Sequence, residues 1–326
     1  MNASILSLDP SAYVAHELHR GERDWAETNC YVDVWIELLH ALGHEPLAGL
    51  GFTLRTDLEA DQWTFFKFSH DELFELYGID VIELNPWSSV IEQTVNEVAA
   101  GRAVLIEVDA FHLPDTAGTT YNTGHAKTTI AVNAIDVQRE TFGYFHNQGY
   151  HQLSGGDFRG LFRIGPDMSD ASWLPPFIEA AKLHAGVGLH GPALVERAVS
   201  LLRRTLARTP TTNPFIPYFT RFDRDVDALR AMHGSLYHAY SFANFRQFGA
   251  AFSLAASHLT WLDANGVGGL ESAIHALTNI SSTAKTLQFR TARAALAGKP
   301  LDATPQLTAL IDGWDDATRD LRRALG

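Results

Sequence analysis

The first strong hydrophobic pattern in the chain has the period of a helix. Its apolar positions recur three and four residues apart and are Val34, Trp35, Leu38, Leu39 and Leu42. Positions with this spacing share one face of an α-helix. Thr28 or Asn29 can cap the start of the helix, and Gly43 can end it. The pattern therefore predicts a helix from Asn29 that places Cys30 in the first turn.

Short helices and strands alternate in the rest of the first half. The pattern predicts two further helices, over residues 71–77 and 90–100. Short apolar and β-branched runs predict strands over 80–84, 104–108, 128–135 and 141–145. The last two strands are joined across residues 136–140 and form a predicted hairpin.

In the second half of the chain the hydrophobic positions recur almost entirely with helical periodicity. The predicted helices cover residues 192–208, 222–240, 243–265, 270–297 and 305–325. The sequence Ser-Trp-Leu-Pro-Pro at residues 172–176 makes a natural junction between the half with mixed helices and strands and the helical half. The chain is therefore predicted to have an α+β fold over residues 1–170, followed by an all-α helical domain over residues 171–326.

Composition and charge exclude several classes of function. A formal charge of −13 argues against nucleic acid as a partner, because phosphate contacts need clustered Lys and Arg. No segment approaches the roughly 18 uninterrupted apolar residues of a membrane span, so no membrane association is expected. One cysteine cannot form an internal disulfide or a multi-cysteine zinc site, which favours a cytoplasmic location. No metal or cofactor is expected, because the histidine pairs of the second half lack the i, i+4 spacing of paired ligands.

The single cysteine has a position that suits a nucleophile. In the first turn of a helix, unpaired N–H groups and the positive end of the helix dipole favour thiolate over thiol. The alternative is that Cys30 is a small buried residue, as free cysteines often are. The backbone N–H of Cys30 is a candidate oxyanion donor, and the side chain of Asn29 is a second candidate unless it serves only as the helix cap.

A candidate base and a candidate orienting residue follow the cysteine in the chain. His125 stands directly before a predicted strand, and His146 and Asn147 end the next one. A cysteine that opens a helix, a histidine that starts a strand and a polar residue that ends the following strand occur in this order in papain-like folds. His125 is therefore predicted to activate Cys30, with His146 or Asn147 holding its ring. Papain-like enzymes usually carry a glutamine about six residues before the cysteine, where this chain has Asp24.

Two groups of residues carry a resemblance to a known family. The first group is Asn29-Cys30-Tyr31 with the leucines of the following helix and Gly49-Leu50-Gly51-Phe52. The second runs from Val108-Asp109-Ala110-Phe111-His112-Leu113-Pro114 to His125. Both groups resemble the butirosin biosynthesis protein H family, whose N-terminal domain is papain-like, and the resemblance covers roughly residues 25–150. The whole chain, including residues 240–250, also resembles a bacterial family of unknown function sometimes encoded beside amino acid:carrier protein ligases.

The resemblance implies an acyltransferase that works through an enzyme-bound thioester. Its donor would be an acyl or aminoacyl carrier protein with a phosphopantetheine thioester, and its acceptor a small-molecule or protein amine, or a hydroxyl. An acidic carrier would need a local basic patch to dock on this acidic chain. Two alternatives remain: an amide or isopeptide hydrolase that uses the same residues, and a catalytically inactive papain-like scaffold.

Polar residues in the predicted helices of the second half are candidates for substrate binding. Buried cations need partners or a ligand, and these side chains could hold a phosphate or carboxylate. The competing reading is that they lie on solvated faces or pair with nearby acidic residues. The candidates are Arg246, Gln247, Lys285 and Arg290.

Overall fold

A computed structural model describes residues 2–165 and 175–326 of the chain. The chain forms two compact units, and neither is continuous in sequence. The first unit comprises Met1–Gly21, Asn29–Pro46 and His70–Leu189, and the second comprises Glu22–Thr28, Leu47–Ser69 and His190–Gly326. The predicted domain boundary at residues 170–171 lies outside the described residues.

The first unit is built on a seven-stranded antiparallel sheet. The strands of the chain are β1 (Asn2–Ser4), β2 (Leu58–Glu59), β3 (Gln62–Trp63), β4 (Ile79–Glu83), β5 (Ala103–Asp109), β6 (Lys127–Asp136), β7 (Thr141–His146), β8 (Gly149–Ser154) and β9 (Ile178–Leu183). Their order in this sheet is β4-β9-β5-β6-β7-β8, with β1 paired to β6, while β2 and β3 form a separate hairpin in the second unit. The predicted β6–β7 hairpin is confirmed, since Asp136 lies opposite Thr141.

Helices occur in both units. Those of the first unit are α1 (Cys30–Ala41), α2 (His70–Tyr77), α3 (Val90–Ala99) and α4 (Gly156–Leu161). Those of the second unit are α5 (Gly191–Leu206), α6 (Phe215–Ala231), α7 (Tyr237–Ser241), α8 (Gln247–Ala264), α9 (Glu271–Ala297) and α10 (Thr304–Leu325). The predictions of α1, α2, α3, α5, α9 and α10 are confirmed to within a few residues. The single helix predicted over 222–240 is wrong, because His233 and Gly234 have φ angles of 50° and 73° and separate α6 from α7.

Local sequence accounts for the start and end of α1. Asn29 has an extended backbone, and its side chain accepts a hydrogen bond of 2.9 Å from the backbone N of Val32. This bond satisfies one of the N–H groups that lack partners in the first turn. After the helix, Gly43 adopts a φ of 79°, which a residue with a Cβ rarely does. The cap fixes Cys30 as the first residue of the helix.

The sheet has two chemically different faces. On one face Val104, Ile106, Ile130 and Val132 form a buried core with Phe142, Tyr144 and Phe158. Side chains alternate along a strand, so Thr129 points to the opposite face, where it contacts Cys30 of α1. Asp109, the last residue of β5, and His125, which precedes β6, lie at the same end of the sheet.

The predicted α+β class is confirmed as a mixed fold with an antiparallel sheet and a helical C-terminal region. Within the described ranges, none of the helices combines the length and the apolarity that crossing a membrane requires.

Candidate functional site

Cys30 lies in the first turn of α1 with its side chain half-buried. Its Sγ atom is 3.8 Å from Oγ1 of Thr129, a buried residue of β6. The thiol donates to the Thr129 hydroxyl in this contact, and the sulfur lies at the positive end of the helix dipole.

His125, two residues before β6 begins, is hydrogen-bonded to Asp109. Its Nδ1 is 2.6 Å from Oδ2 of Asp109, and its ring stacks on Phe111 with 4.7 Å between centroids. The His125 side chain is 74% exposed. Because Nδ1 is engaged, Nε2 is the nitrogen left for proton transfer.

Asp109 closes the β5–β6 loop (residues 110–126) as well as holding His125. Its Oδ1 accepts hydrogen bonds from the backbone N of Phe111 at 3.0 Å and of Ala126 at 3.3 Å. Burial would raise the pKa of Asp109, but the hydrogen bonds from His125 and the two backbone groups outweigh it and lower this pKa. Asp109 is therefore ionised at neutral pH and fixes the tautomer of His125 with its proton on Nδ1.

Asp109, and neither His146 nor Asn147, is the residue that holds the ring of His125. His146 instead has both ring nitrogens engaged elsewhere, at 2.6 Å from Asp115 and 2.8 Å from Thr128. Asn147 occupies the turn between β7 and β8 with a φ of 46°. The expectation rested on the order of residues in papain-like folds, where the polar residue ends the strand after the histidine, and so it overlooked the end of β5. Asp109 lies opposite Lys127 in the β5–β6 register, which brings it next to the residues that precede β6.

Cys30 and His125 are both in the first unit, but they are not in hydrogen-bond contact. In the part of the chain that the structure describes, the sulfur bonds to Thr129, and His125 bonds to Asp109. Thr129 follows His125 by four residues, a stretch that can span up to about 14 Å when extended. The predicted activation of Cys30 by His125 therefore needs a rearrangement of His125 or of its loop.

A cavity of about 790 Å³ opens beside the His125–Asp109 pair. Its apolar walls include Ile106 and Val108 of β5, and Arg163 and the Lys127–Glu107 ion pair supply charged groups. A volume of this size accommodates a small organic ligand. Among the described residues, no group of three or more His, Cys, Asp or Glu side chains is arranged to hold a metal ion.

The four polar candidates of the second unit do not form one site. The Nε of Arg246 donates to the backbone O of Thr28 at 2.8 Å, and Lys285 lies 4.3 Å from the ring centroid of Trp25. Gln247 donates to the backbone O of Phe242 at 3.3 Å. Arg290 binds residues 302–306 near the start of α10. Arg246 and Lys285 thus hold the 22–28 segment, whereas Arg290 contacts a different part of the second unit.

The structural class defined by these observations is a mixed α/β sheet unit joined to a helical unit. Two family models match the chain. Residues 14–183 match the DUF1839 N-terminal domain, and residues 191–323 match the DUF1839 C-terminal domain. The chain therefore belongs to the DUF1839 family, a family of unknown function. A search of curated proteins finds no match.

Proposed function

We propose that this protein is a cysteine-dependent acyltransferase that moves an acyl group from a thioester to an amine through Cys30. The observation that carries the proposal is the position of Cys30 as the first residue of a capped helix, half-buried, with its sulfur beside Thr129. The order of Cys30 and His125, and the resemblance to butirosin biosynthesis protein H, support a papain-like arrangement. On this reading the enzyme is cytoplasmic and needs no cofactor besides the phosphopantetheine of a carrier-bound donor.

The first half-reaction forms an acyl-enzyme. The thiolate of Cys30 attacks the thioester carbonyl, the bond to the donor sulfur breaks, and protonated His125 donates its proton to the departing thiolate. The backbone N–H of Cys30 stabilises the oxyanion. In the second half-reaction an amine attacks the Cys30 thioester, the bond to Sγ breaks, and Nε2 of His125 takes the amine proton.

The proposal includes a movement that brings His125 into contact with Cys30. The side chains of residues 117–125 are mostly exposed, whereas those of residues 110–116 are buried or half-buried. The exposed half of the β5–β6 loop ends at His125 and is the segment that can bring Nε2 to the sulfur. Catalytic contacts that are open in an unliganded enzyme commonly tighten when substrate binds.

The test is product formation from an aminoacyl thioester, followed by mass spectrometry with and without an added amine. Wild-type protein should form the amide, and Cys30→Ala should fall to the uncatalysed rate. His125→Ala should lose roughly 10²–10⁴-fold, the usual contribution of a general base. Release of free acid at the same rate with and without amine would assign hydrolysis instead of transfer.

The absence of a Cys30–His125 contact in the described residues favours one other candidate, a non-catalytic scaffold. This candidate predicts an ordinary thiol. Iodoacetamide labelling of Cys30 near neutral pH separates the two: rapid labelling supports the enzyme, and labelling at the rate of a free cysteine peptide supports the scaffold.

A further inference from the structure

The buried half of the β5–β6 loop, residues 110–116, is held by hydrogen bonds within itself. Oγ1 of Thr116 donates to the backbone O of Ala110 at 3.1 Å and of Leu113 at 2.9 Å. Leu113 is fully buried in the core of the sheet. Phe111, on which His125 stacks, belongs to this half, and Asp109 directly precedes it. The buried half is therefore the support on which His125 rests.

Asp115 ties this buried half to the sheet. Its Oδ1 accepts a hydrogen bond of 2.5 Å from the hydroxyl of Tyr144, and its Oδ2 lies 2.6 Å from Nδ1 of His146. Tyr144 and His146 are alternate residues of β7, so they reach Asp115 from the same face of the sheet. The Nε2 of His146 is 2.8 Å from Oγ1 of Thr128 in β6. The chain of contacts from Asp115 through His146 to Thr128, which we call the Asp115 clamp, therefore binds the loop to two strands.

The clamp is almost completely enclosed. The His146 and Asp115 side chains are 2% and 7% exposed, and Thr128 is also buried. Burial disfavours the charge of Asp115, but its hydrogen bonds from His146 and Tyr144 and the charge of His146 lower its pKa overall. Buried polar networks of this kind need every member in place, because removing one leaves the others unsatisfied. Such a network fixes one conformation of the loop, which apolar packing alone does less strictly.

We propose that Asp115 and His146 are positioning residues for His125. The clamp holds the buried half of the β5–β6 loop still, so that Asp109 and Phe111 fix the orientation of the imidazole from which the exposed half carries Nε2 to the sulfur. This inference rests on the proposed acyl transfer. It also gives His146 a role different from the one expected from its place at the end of β7, since it acts through Asp115 and touches neither His125 nor Cys30.

Asp115→Asn tests the clamp in the full-length protein, with Val132→Ala as the matched control. Asn keeps the shape of Asp115 but loses the charge that holds His146, whereas Val132→Ala destabilises β6 from a core position outside the loop. Two readouts are needed. The first is hydrogen exchange at the amides of Leu113 and Thr116, which donate within the loop. The second is the pH dependence of Cys30 alkylation, measured beside His125→Ala.

In Asp115→Asn, exchange at these two amides should rise at least tenfold above that in Val132→Ala, and the alkylation profile should move towards that of His125→Ala. Val132→Ala should keep the wild-type profile. Unchanged exchange in Asp115→Asn would overturn the clamp. Faster exchange with a wild-type alkylation profile would reduce Asp115 to a structural role and overturn the positioning claim. A His125→Ala alkylation profile identical to wild type would instead refute the proposed base and with it the positioning role. The exchange rates would then test only whether Asp115 holds the loop.

Discussion

Asn29 decides where the helix that carries the nucleophile begins. Its side-chain oxygen is occupied by the backbone N of Val32, at 2.9 Å, which is the cap predicted from the sequence. Its second predicted role, as an oxyanion donor, stays a prediction. The cap matters for chemistry as well as for stability, because the first turn of α1 supplies the N–H groups near the sulfur of Cys30.

Replacing Asn29 separates these two effects. Asn29→Ala should lower the free energy of unfolding by about 1 kcal/mol, the usual loss for a missing cap. Asn29→Asp should keep the cap, but the negative charge that it adds directly before Cys30 should slow alkylation near neutral pH. Urea denaturation and iodoacetamide rates measure the two quantities. An Asn29→Ala protein as stable as wild type would show that the cap contributes nothing.

A buried ionic cluster connects α1 to the short 3₁₀ helix at Glu17–His19. His19 lies between two carboxylates on successive turns of α1, with Nδ1 2.5 Å from Glu37 and Nε2 3.3 Å from Asp33. Tyr13 also donates to Glu37, at 2.5 Å. Burial lowers the pKa of His19, but the hydrogen bonds and charges of Asp33 and Glu37 outweigh it and raise the pKa to about 9. His19 is therefore protonated in the folded protein at neutral pH.

This cluster predicts a loss of stability at alkaline pH. The folded pKa of His19, about 9, lies above the unfolded value of 6.5, so its contribution is complete below 6.5 and is lost as pH rises through 9. The total is on the order of 3 kcal/mol. His16 and His258, whose pKa values burial lowers to about 4, act in the opposite window, between 6.5 and 4. Urea unfolding from pH 6.5 to 9.5 measures the effect of His19 alone among these three.

Glu37→Gln is the informative variant for the cluster. It removes one of the two carboxylates, so the pKa of His19 should fall and the decline in stability above pH 6.5 should become shallower. An unfolding free energy that stays constant from pH 6.5 to 9.5 in the wild-type protein would contradict a protonated His19.

At the scale of the whole molecule, local patterns predicted the elements with strong periodicity, and long-range pairing produced the rest. The helix from Asn29 and the β6–β7 hairpin were predictable because caps and alternation are local signals. Strand β9, with the sequence Ile-Glu-Ala-Ala-Lys-Leu, has little β propensity of its own and exists because it pairs with β4 and β5.

Local patterns also could not predict that each unit is made of several separate chain segments. Trp25 donates to the backbone O of Ser281, and the Nδ1 of His258 bonds the backbone O of Leu47. These contacts join residues more than two hundred positions apart and assign the 22–28 and 47–69 segments to the second unit. The Asp109–His125 pair at the candidate site could not be predicted from local patterns either, because it depends on the register between β5 and β6.

Two truncations test the place of β9 in the sheet. A 1–170 fragment loses β9 and leaves β4 and β5 without the strand between them, whereas a 1–189 fragment keeps it. Both fragments lack the partners of Trp25, so they differ in β9 and its flanking residues. The 1–189 fragment should remain more soluble and unfold more cooperatively in thermal melts followed by circular dichroism. Equal behaviour of the two fragments would show that β9 is dispensable for the sheet.

The most direct test of the central claim is the intact mass of the protein after exposure to an aminoacyl thioester without an amine acceptor. Wild-type protein should gain one acyl group, peptide mapping should place it on Cys30, and hydroxylamine should remove it, as expected of a thioester. Cys30→Ala should gain nothing under the same conditions. Acylation of Cys30→Ala to the wild-type extent, or a wild-type protein that never carries the acyl group on Cys30, would contradict the proposed mechanism.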